Sequence, residues 1–143
     1  MSPPVAPPSP RLALVEPDGA FARLLGNWLV ARGWQVKIFA HSRELLARAE
    51  SLRPDLCCLS SDGPQPAGLE LAALLARLPQ APPAVLCTRM GAAAAWSPEH
   101  VARLGLRAVI ARPMPFPELE ARLRAALQPI PPGDGTAPEE SAP

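Results

Sequence analysis

Short apolar runs alternate along this chain with segments whose apolar residues recur every three to four positions. The short runs predict β-strands, and the longer period predicts amphipathic helices. The alternation is repeated five times along the chain. The runs that predict strands are Arg11–Glu16, Trp34–Ala40, Leu56–Ser60, Ala84–Thr88 and Ala108–Ala111.

A predicted helix follows each of these strands. The first helix has its apolar residues on one face, at Phe21, Leu24, Leu25, Trp28 and Leu29. Gly33 is expected to end it, Ser42 to be the N-cap of the second helix, and Ser97 to be the N-cap of the fourth. Pro117 is expected to open the fifth. Because strands that alternate with helices form parallel sheets, we predict an α/β protein: a five-stranded, doubly wound parallel sheet with helices on both faces.

Proline is concentrated at the two ends of the chain. Of 21 prolines, five lie in residues 1–10 and five in residues 129–143. Such segments have too little apolar area to offset the entropy lost on ordering. We therefore expect one folded domain, residues 11–128, between a disordered tail at 1–10 and a disordered, acidic tail at 129–143.

Charge and hydropathy exclude two classes of partner. The 14 basic and 13 acidic residues are scattered, so no basic face for nucleic acid is expected. No apolar run approaches the ~20 residues that span a membrane. The first residues, Met-Ser-Pro-Pro, contain neither a charged leader nor an apolar signal core, so we expect a cytoplasmic protein.

The cysteines and histidines do not have the spacing of a metal site. Cys57, Cys58 and Cys87 lie inside apolar runs, and His41 and His100 have no second ligand at a suitable spacing. We expect three buried, reduced thiols that react slowly, with no zinc and no cofactor.

Polar residues follow the predicted strands at their carboxyl ends, which is where doubly wound sheets bind ligands. Two acids, Glu16 and Asp18, flank Pro17 after the first strand. Hydroxyl residues end the third and fourth strands, and an arginine ends the fifth. The side chains expected to converge on this edge are Glu16, Asp18, Ser60, Thr88 and Arg112.

From about Arg11 to Leu127 the chain resembles the receiver domain of bacterial response regulators. Five segments carry the resemblance in chain order: Leu14–Asp18, Pro54–Ser60, Pro64 with Gly68, Pro83–Thr88, and Ala111-Arg112-Pro113. The resemblance implies the strand order 2-1-3-4-5 and a place in two-component signal transduction, in a phosphorelay.

The chain departs from that family at the residues that carry its chemistry. The family phosphorylates an aspartate at the end of its third strand, and here that position is Ser60, a poor nucleophile without an adjacent base. The family binds Mg²⁺ through this aspartate and two acids after the first strand. Glu16 retains one of these acids, but Pro17 stands where the second is expected. We therefore expect no metal site.

Three further positions bear on signalling in the resembling family. Its conserved lysine corresponds to Arg112, which keeps the charge on a different donor group. Thr88 retains the switch hydroxyl, whereas the aromatic residue that partners it falls at Val109. Glu16, Pro17, Asp18, Ser60, Thr88 and Arg112 therefore form a degenerate phosphorylation site.

Structural roles remain open for several of these residues. Asp18 either caps the first helix or binds an ion, and Thr88 is either a strand-end hydroxyl or a switch. Arg112 either pairs with Glu16 or Asp18 or binds a ligand. Asp62 is either a loop acid or a displaced phosphoacceptor.

In the resembling family, the face formed by the fourth helix, the fifth strand and the fifth helix carries output and dimer contacts, and the resemblance makes this face the predicted interaction surface here. It carries Met90, Trp96, Val109, Met114 and Phe116, residues whose side chains supply contact area. Alternatively, Trp96 folds back onto the core.

These observations favour a non-enzymatic, receiver-like module that contacts a protein partner or a second copy without being phosphorylated. The alternative is a phosphoaccepting receiver that uses Asp62 with Mg²⁺. A hydrolase or nucleotide binder is disfavoured, because the chain lacks Gly-x-Gly-x-x-Gly after the first strand, a P-loop and Gly-x-Ser-x-Gly.

Overall fold

A computed structural model of the 143-residue chain describes residues 9–61, 68–89 and 97–128. Five strands and five helices alternate in these residues. They are β1 (Arg11–Val15), α1 (Gly19–Ala31), β2 (Gln35–Phe39), α2 (Ser42–Leu52), β3 (Leu56–Ser60), α3 (Gly68–Ala76), β4 (Ala84–Arg89), α4 (Pro98–Arg103), β5 (Leu106–Arg112) and α5 (Phe116–Leu127). All neighbouring strands are parallel, in the order β2-β1-β3-β4-β5. The predicted fold class and strand order are confirmed.

The sheet separates two apolar clusters. One cluster lies on the side of α1 and α5 and contains Leu25, Cys58, Cys87 and Leu123. The other lies on the side of α2 and α3 and contains residues such as Cys57. Successive residues of a strand point to opposite faces, so Cys57 and Cys58 belong to different clusters. All five residues of β3 are buried, as expected for a central strand covered on both faces.

Two helix starts differ from the sequence prediction by one residue, at α2 and at α5, which begins at Phe116 and not at Pro117. The Asp18 side chain accepts a hydrogen bond from the Phe21 amide and caps α1, which ends before Gly33, a glycine with φ of +99°. The prediction that Ser42 is the N-cap of α2 is wrong by one residue. His41 has extended backbone angles and takes that position, and Ser42 is the first helical residue.

The two described residues before Arg11 contact the folded part of the chain. Pro10 is buried, and its carbonyl accepts a hydrogen bond of 2.8 Å from the Gln35 amide. The Ser9 hydroxyl donates to the Gly33 carbonyl over 3.1 Å. The domain boundaries themselves stay a prediction. The predicted tails otherwise fall at residues 1–8 and 129–143, outside the described residues.

Strand β5 is longer than predicted and contains an irregularity. Ala84 pairs with Leu106 and Val85 with Ala108, so Arg107 is an extra residue on β5. Its guanidinium donates two hydrogen bonds of 2.7 Å, to the Ala126 and Gln128 carbonyls at the end of α5. Within the described residues, none of the helices is both long enough and apolar enough to cross a membrane.

Candidate functional site

An ion pair joins two strands at the carboxyl edge of the sheet. Arg112, the last residue of β5, donates from Nη1 to Oε1 of Glu16 over 2.8 Å. Glu16 directly follows β1, and only 4% of its side chain is exposed. Its second oxygen, Oε2, accepts from the Asp18 amide over 3.0 Å. Both oxygens of this carboxylate are therefore engaged within the protein.

Asp18 and Arg112 both make the structural contacts that the sequence offered as one of their two roles. Asp18 Oδ1 accepts from the Phe21 amide over 3.2 Å at the start of α1, a region where the helix dipole also favours negative charge. Arg112 pairs with Glu16, and its guanidinium carbon lies 4.8 Å from the centre of the Phe21 ring. This stacking fixes the plane of the guanidinium over the first turn of α1.

Hydroxyl side chains occupy the ends of the two central strands. Ser60 is the last residue of β3, is buried, and is paired in register with Cys87 of β4. The Ser61 hydroxyl donates to Oγ1 of Thr88 over 3.1 Å. Thr88 is thus a strand-end hydroxyl with a partner on the neighbouring strand. Its contact with Ser61 was not predicted, because it depends on the register of the two strands.

A cavity of about 420 Å³ opens at this edge. Four of the predicted site residues line it, namely Glu16, Pro17, Asp18 and Arg112, together with Arg89. Ser60 lies deeper, in the wall of a cavity of about 10 Å³ that Glu16 and Arg112 also line. We call the larger cavity the rim cavity and the smaller one the floor cavity. Asp62 lies outside the described residues.

A larger cavity, of about 530 Å³, lies at the opposite end of the sheet. Its walls come from the end of α2 and the segment before β4, including Arg53, Pro54 and Gln80. It contains none of the residues to which the sequence assigned chemistry. In the described ranges, no group of three or more His, Cys, Asp and Glu side chains is arranged to hold a metal ion.

The structure divides the predicted interaction surface. Val109 packs in the cluster on the α2 and α3 side, whereas Met114 and Phe116 pack in the cluster on the α1 and α5 side. The Phe116 ring makes edge contacts with the rings of Phe21 and Trp28, at centroid distances of 6.1 and 5.7 Å. Phe116 therefore faces α1 and not α4. Met90 and Trp96 lie outside the described residues.

A buried carboxylate on α5 was not predicted from the sequence. Glu120 is 4% exposed and accepts hydrogen bonds from Arg32 Nε, Trp34 Nε1 and Arg124 Nε, at 2.8, 3.1 and 2.9 Å. Burial raises the pKa of Glu120, but the hydrogen bonds from these three donors outweigh it and hold the pKa below 4.5. The spacing of Glu120 and Arg124 was the one visible signal in the sequence.

Comparison with known proteins supports the fold. No protein-family model and no curated protein matches the sequence. Among solved structures, the chain is similar to a CheY-like response regulator receiver domain from Methanospirillum hungatei, with 23% identity and a TM-score of 0.71 over 83% of this chain and 94% of that one. It is also similar to the BeF3-activated N-terminal receiver domain of Klebsiella pneumoniae RstA, with 24% identity and a TM-score of 0.70 over 83% and 99% of the two chains.

A third similar structure is the receiver domain of Francisella response regulator 1452. Its identity is 16% and its TM-score 0.71, over 83% of this chain and 97% of that one. At these identities the similarity concerns the backbone, and one fold can carry many different functions. The chain has the receiver fold, and its function has to be argued from its own residues.

Proposed function

We propose that this protein is an atypical receiver module that acts by binding another protein, in the cytoplasm, without phosphorylation at the end of β3. The observation that carries the proposal is the Arg112–Glu16 ion pair, in a site where β3 ends in Ser60. In the resembling family this edge combines an acceptor carboxylate with free acidic ligands for Mg²⁺. Here the acceptor position is Ser60, a hydroxyl residue. Glu16, the acid that remains, forms an ion pair with Arg112.

The residues at this edge do not fit Mg²⁺. The ion requires octahedral oxygen ligands, commonly including one or two carboxylates. Both oxygens of Glu16 already accept hydrogen bonds, from Arg112 and from the Asp18 amide. The guanidinium at 2.8 Å would repel a divalent cation, and Pro17 provides no side-chain oxygen. Binding would therefore require breaking the ion pair.

Phosphotransfer to Ser60 is also disfavoured. A serine hydroxyl attacks phosphorus efficiently only when a neighbouring base accepts its proton. Glu16 lines the floor cavity together with Ser60, and its charge is balanced by Arg112. A Ser60 phosphate would also place its negative charges in a buried site.

The proposed activity is therefore binding to a protein partner or to a second copy. We propose the predicted surface on α4, β5 and α5 as the first candidate for this interface. The described residues add a second candidate, because Leu24 and Val30 on α1 are 64% and 54% exposed, and exposed apolar side chains of this size supply contact area at interfaces. The two surfaces can be separated by substitution.

The first test is phosphorylation. The full chain is incubated with acetyl phosphate and Mg²⁺, beside a phosphoaccepting receiver domain as positive control, and intact masses are measured. We expect the control to gain a phosphate and this chain to gain none. Ser60→Asp is expected to recover little, and Ser60→Asp combined with Pro17→Asp and Arg112→Lys to recover more. Stoichiometric, hydroxylamine-sensitive phosphate on Asp62 would contradict the proposal and support the phosphoaccepting alternative.

The second test addresses the partner. Self-association of the purified chain is measured by sedimentation, and a partner captured from the source cells is purified and titrated directly. Val109→Thr probes the predicted face, Leu24→Ser probes α1, and Leu74→Ser on α3 is a control with an exposed leucine elsewhere. Loss of binding in only one of the first two variants locates the surface. A chain that remains monomeric and binds no purified partner contradicts an interaction role.

A further inference from the structure

Two thiols from neighbouring strands are in contact beneath the rim cavity. Sγ of Cys58 on β3 and Sγ of Cys87 on β4 lie 3.4 Å apart. Both cysteines are free, buried and part of the same apolar cluster. Cys58 pairs in register with Val85, and Cys87 with Ser60, so the two cysteines are diagonal neighbours. Cys57 is also buried but lies in the cluster on the other side of the sheet.

A small reagent has a short route to this thiol pair. Cys58 and Cys87 both line the floor cavity, which has room for about one water molecule. Four residues line both the floor cavity and the rim cavity, namely Glu16, Phe21, Arg112 and Leu119. Arg112 is 18% exposed and borders both cavities, so movement of its side chain is the opening that the proposal requires.

The contact makes the two thiols chemically different. The hydrogen bond between them raises the pKa of Cys58, and burial adds to this. The same hydrogen bond lowers the pKa of Cys87; burial raises it, Arg112 lowers it and Glu16 raises it, and the net direction is downward. The thiolate is the nucleophile in thiol oxidation, so the lowered pKa favours Cys87 as the sulfur that reacts first, but either sulfur can donate in their contact and the disulfide is the same in either order.

We propose that Cys58 and Cys87 are a reversible redox-modification site that a peroxide converts into a disulfide between β3 and β4. The Cys87 thiolate attacks one oxygen of the peroxide, the O–O bond breaks, and hydroxide leaves as Cys87 becomes a sulfenic acid. The Cys58 sulfur then displaces the sulfenic oxygen, which leaves as water. The two thiols together lose two protons and two electrons, and the peroxide is reduced to two waters. This chemistry is independent of the proposed binding function.

The disulfide would alter the strand ends of the candidate site. The sulfur atoms must approach from 3.4 Å to ~2 Å, which draws β3 and β4 together at the level of Ser60. Ser61 directly follows Ser60 at the end of β3, and Thr88 directly follows Cys87 in β4. The hydroxyls of Ser61 and Thr88 are hydrogen-bonded to each other. The structural change caused by oxidation is therefore expected to be transmitted to the surface through the Ser61 and Thr88 hydroxyls.

The test uses the full-length chain and hydrogen peroxide, with thiols counted after denaturation and intact masses measured. We expect the wild type to fall from three titratable thiols to one, to lose the mass of two hydrogens, and to recover both on reduction. Cys57→Ser is the matched control, because it removes the neighbouring thiol on the opposite face, and it should still form the disulfide. Cys58→Ser and Cys87→Ser should not, and Cys58→Ser should leave a sulfenic acid on Cys87.

Three results in the thiol counts and masses would overturn the proposal. They are a wild type that keeps three thiols, a wild type whose cysteines oxidise separately to higher acids, and loss of the disulfide in Cys57→Ser. A covalent dimer on a non-reducing gel would also contradict it, since the bond is intramolecular. If Cys58→Ser does not fold, Cys58→Ala replaces it. The measurements on the wild type and on the Cys57→Ser variant decide the outcome in either case.

Discussion

Trp34 Nε1 donates a hydrogen bond to Glu120 Oε2 over 3.1 Å, and so connects the residue before β2 to the middle of α5. Both groups are buried. Glu120 thus holds the α1–β2 connection against α5, since Arg32 at the end of α1 donates to its other oxygen.

This carboxylate should make stability depend on acid pH. Its pKa is lower in the folded chain than the ordinary value of 4.5, so its contribution is present above that value and is lost as the pH falls through the lowered pKa. We expect Glu120→Gln to destabilise the protein by about 1–2 kcal/mol at pH 7 and to weaken the acid dependence of urea unfolding. Glu118→Gln, an exposed change on the same helix, is the control. An unchanged pH profile in Glu120→Gln would refute the assignment.

The Arg112–Glu16 pair should show strong energetic coupling. Arg112→Met leaves a buried carboxylate without its cation, and we expect a loss of about 2–4 kcal/mol in the free energy of unfolding. Adding Glu16→Gln to this variant should recover part of the loss, because the double variant buries no unpaired charge. Chemical denaturation of the four chains gives the coupling energy. Strictly additive effects would show that the pair contributes little.

Two glycines should respond oppositely to alanine. A Cβ at Gly26, inside α1, would lie 3.1 Å from Cδ1 of Ile38, the end of a flexible and partly exposed side chain. Gly26→Ala should therefore be neutral or stabilise by up to about 1 kcal/mol. Gly33 has φ of +99°, so Gly33→Ala should destabilise by about 1 kcal/mol. Thermal melting of both variants tests this, and equal shifts would contradict it.

The position of the first packed residue can be tested by truncation. A chain of residues 9–128 should melt within a few degrees of the full chain, because both tails are expected to be disordered. A chain of residues 11–128 lacks the Pro10 carbonyl that accepts from Gln35, and its loss should cost about 1 kcal/mol more. If both shortened chains lose the same free energy of unfolding relative to the full chain, the loss comes from removing residues 1–8 or residues 129–143.

The thiols should be inaccessible to bulky reagents while the protein is folded. Burial raises the pKa of Cys57 from 9.0 to about 12, so it remains a thiol at pH 8. An aromatic disulfide reagent should label the native chain slowly and all three cysteines rapidly in urea. Rapid labelling without denaturant would mean that β3 or β4 is more open than described.

The sequence was sufficient for features that depend on nearby residues. The apolar runs predicted the positions of β3 and β4, because every side chain in these two strands is buried except that of Arg89. Asp18 was recognised as a possible cap because it precedes the apolar face of α1 by a few residues. The polar strand ends also converge as expected, since parallel strands end at the same edge.

Features that depend on the packing of distant segments were missed. Glu120 meets Arg32 and Trp34 across separations of 88 and 86 residues, which no local spacing reveals. The Cys58–Cys87 contact depends on the register between two strands. The contacts of Phe116 with Phe21 and Trp28 depend on the rotation of α5 against α1, which no local pattern reveals.

The division of the core by the sheet has a consequence for how this protein tolerates change. Leu25 and Leu75 are both fully buried, yet they lie in different clusters, with a layer of backbone between them. The energetic losses from truncating each should therefore sum, as they do for sites without shared neighbours. Substitutions in the layer of α2 and α3 are therefore expected to leave the packing of the opposite half unchanged. That half supports Glu16, Arg112 and the thiol pair.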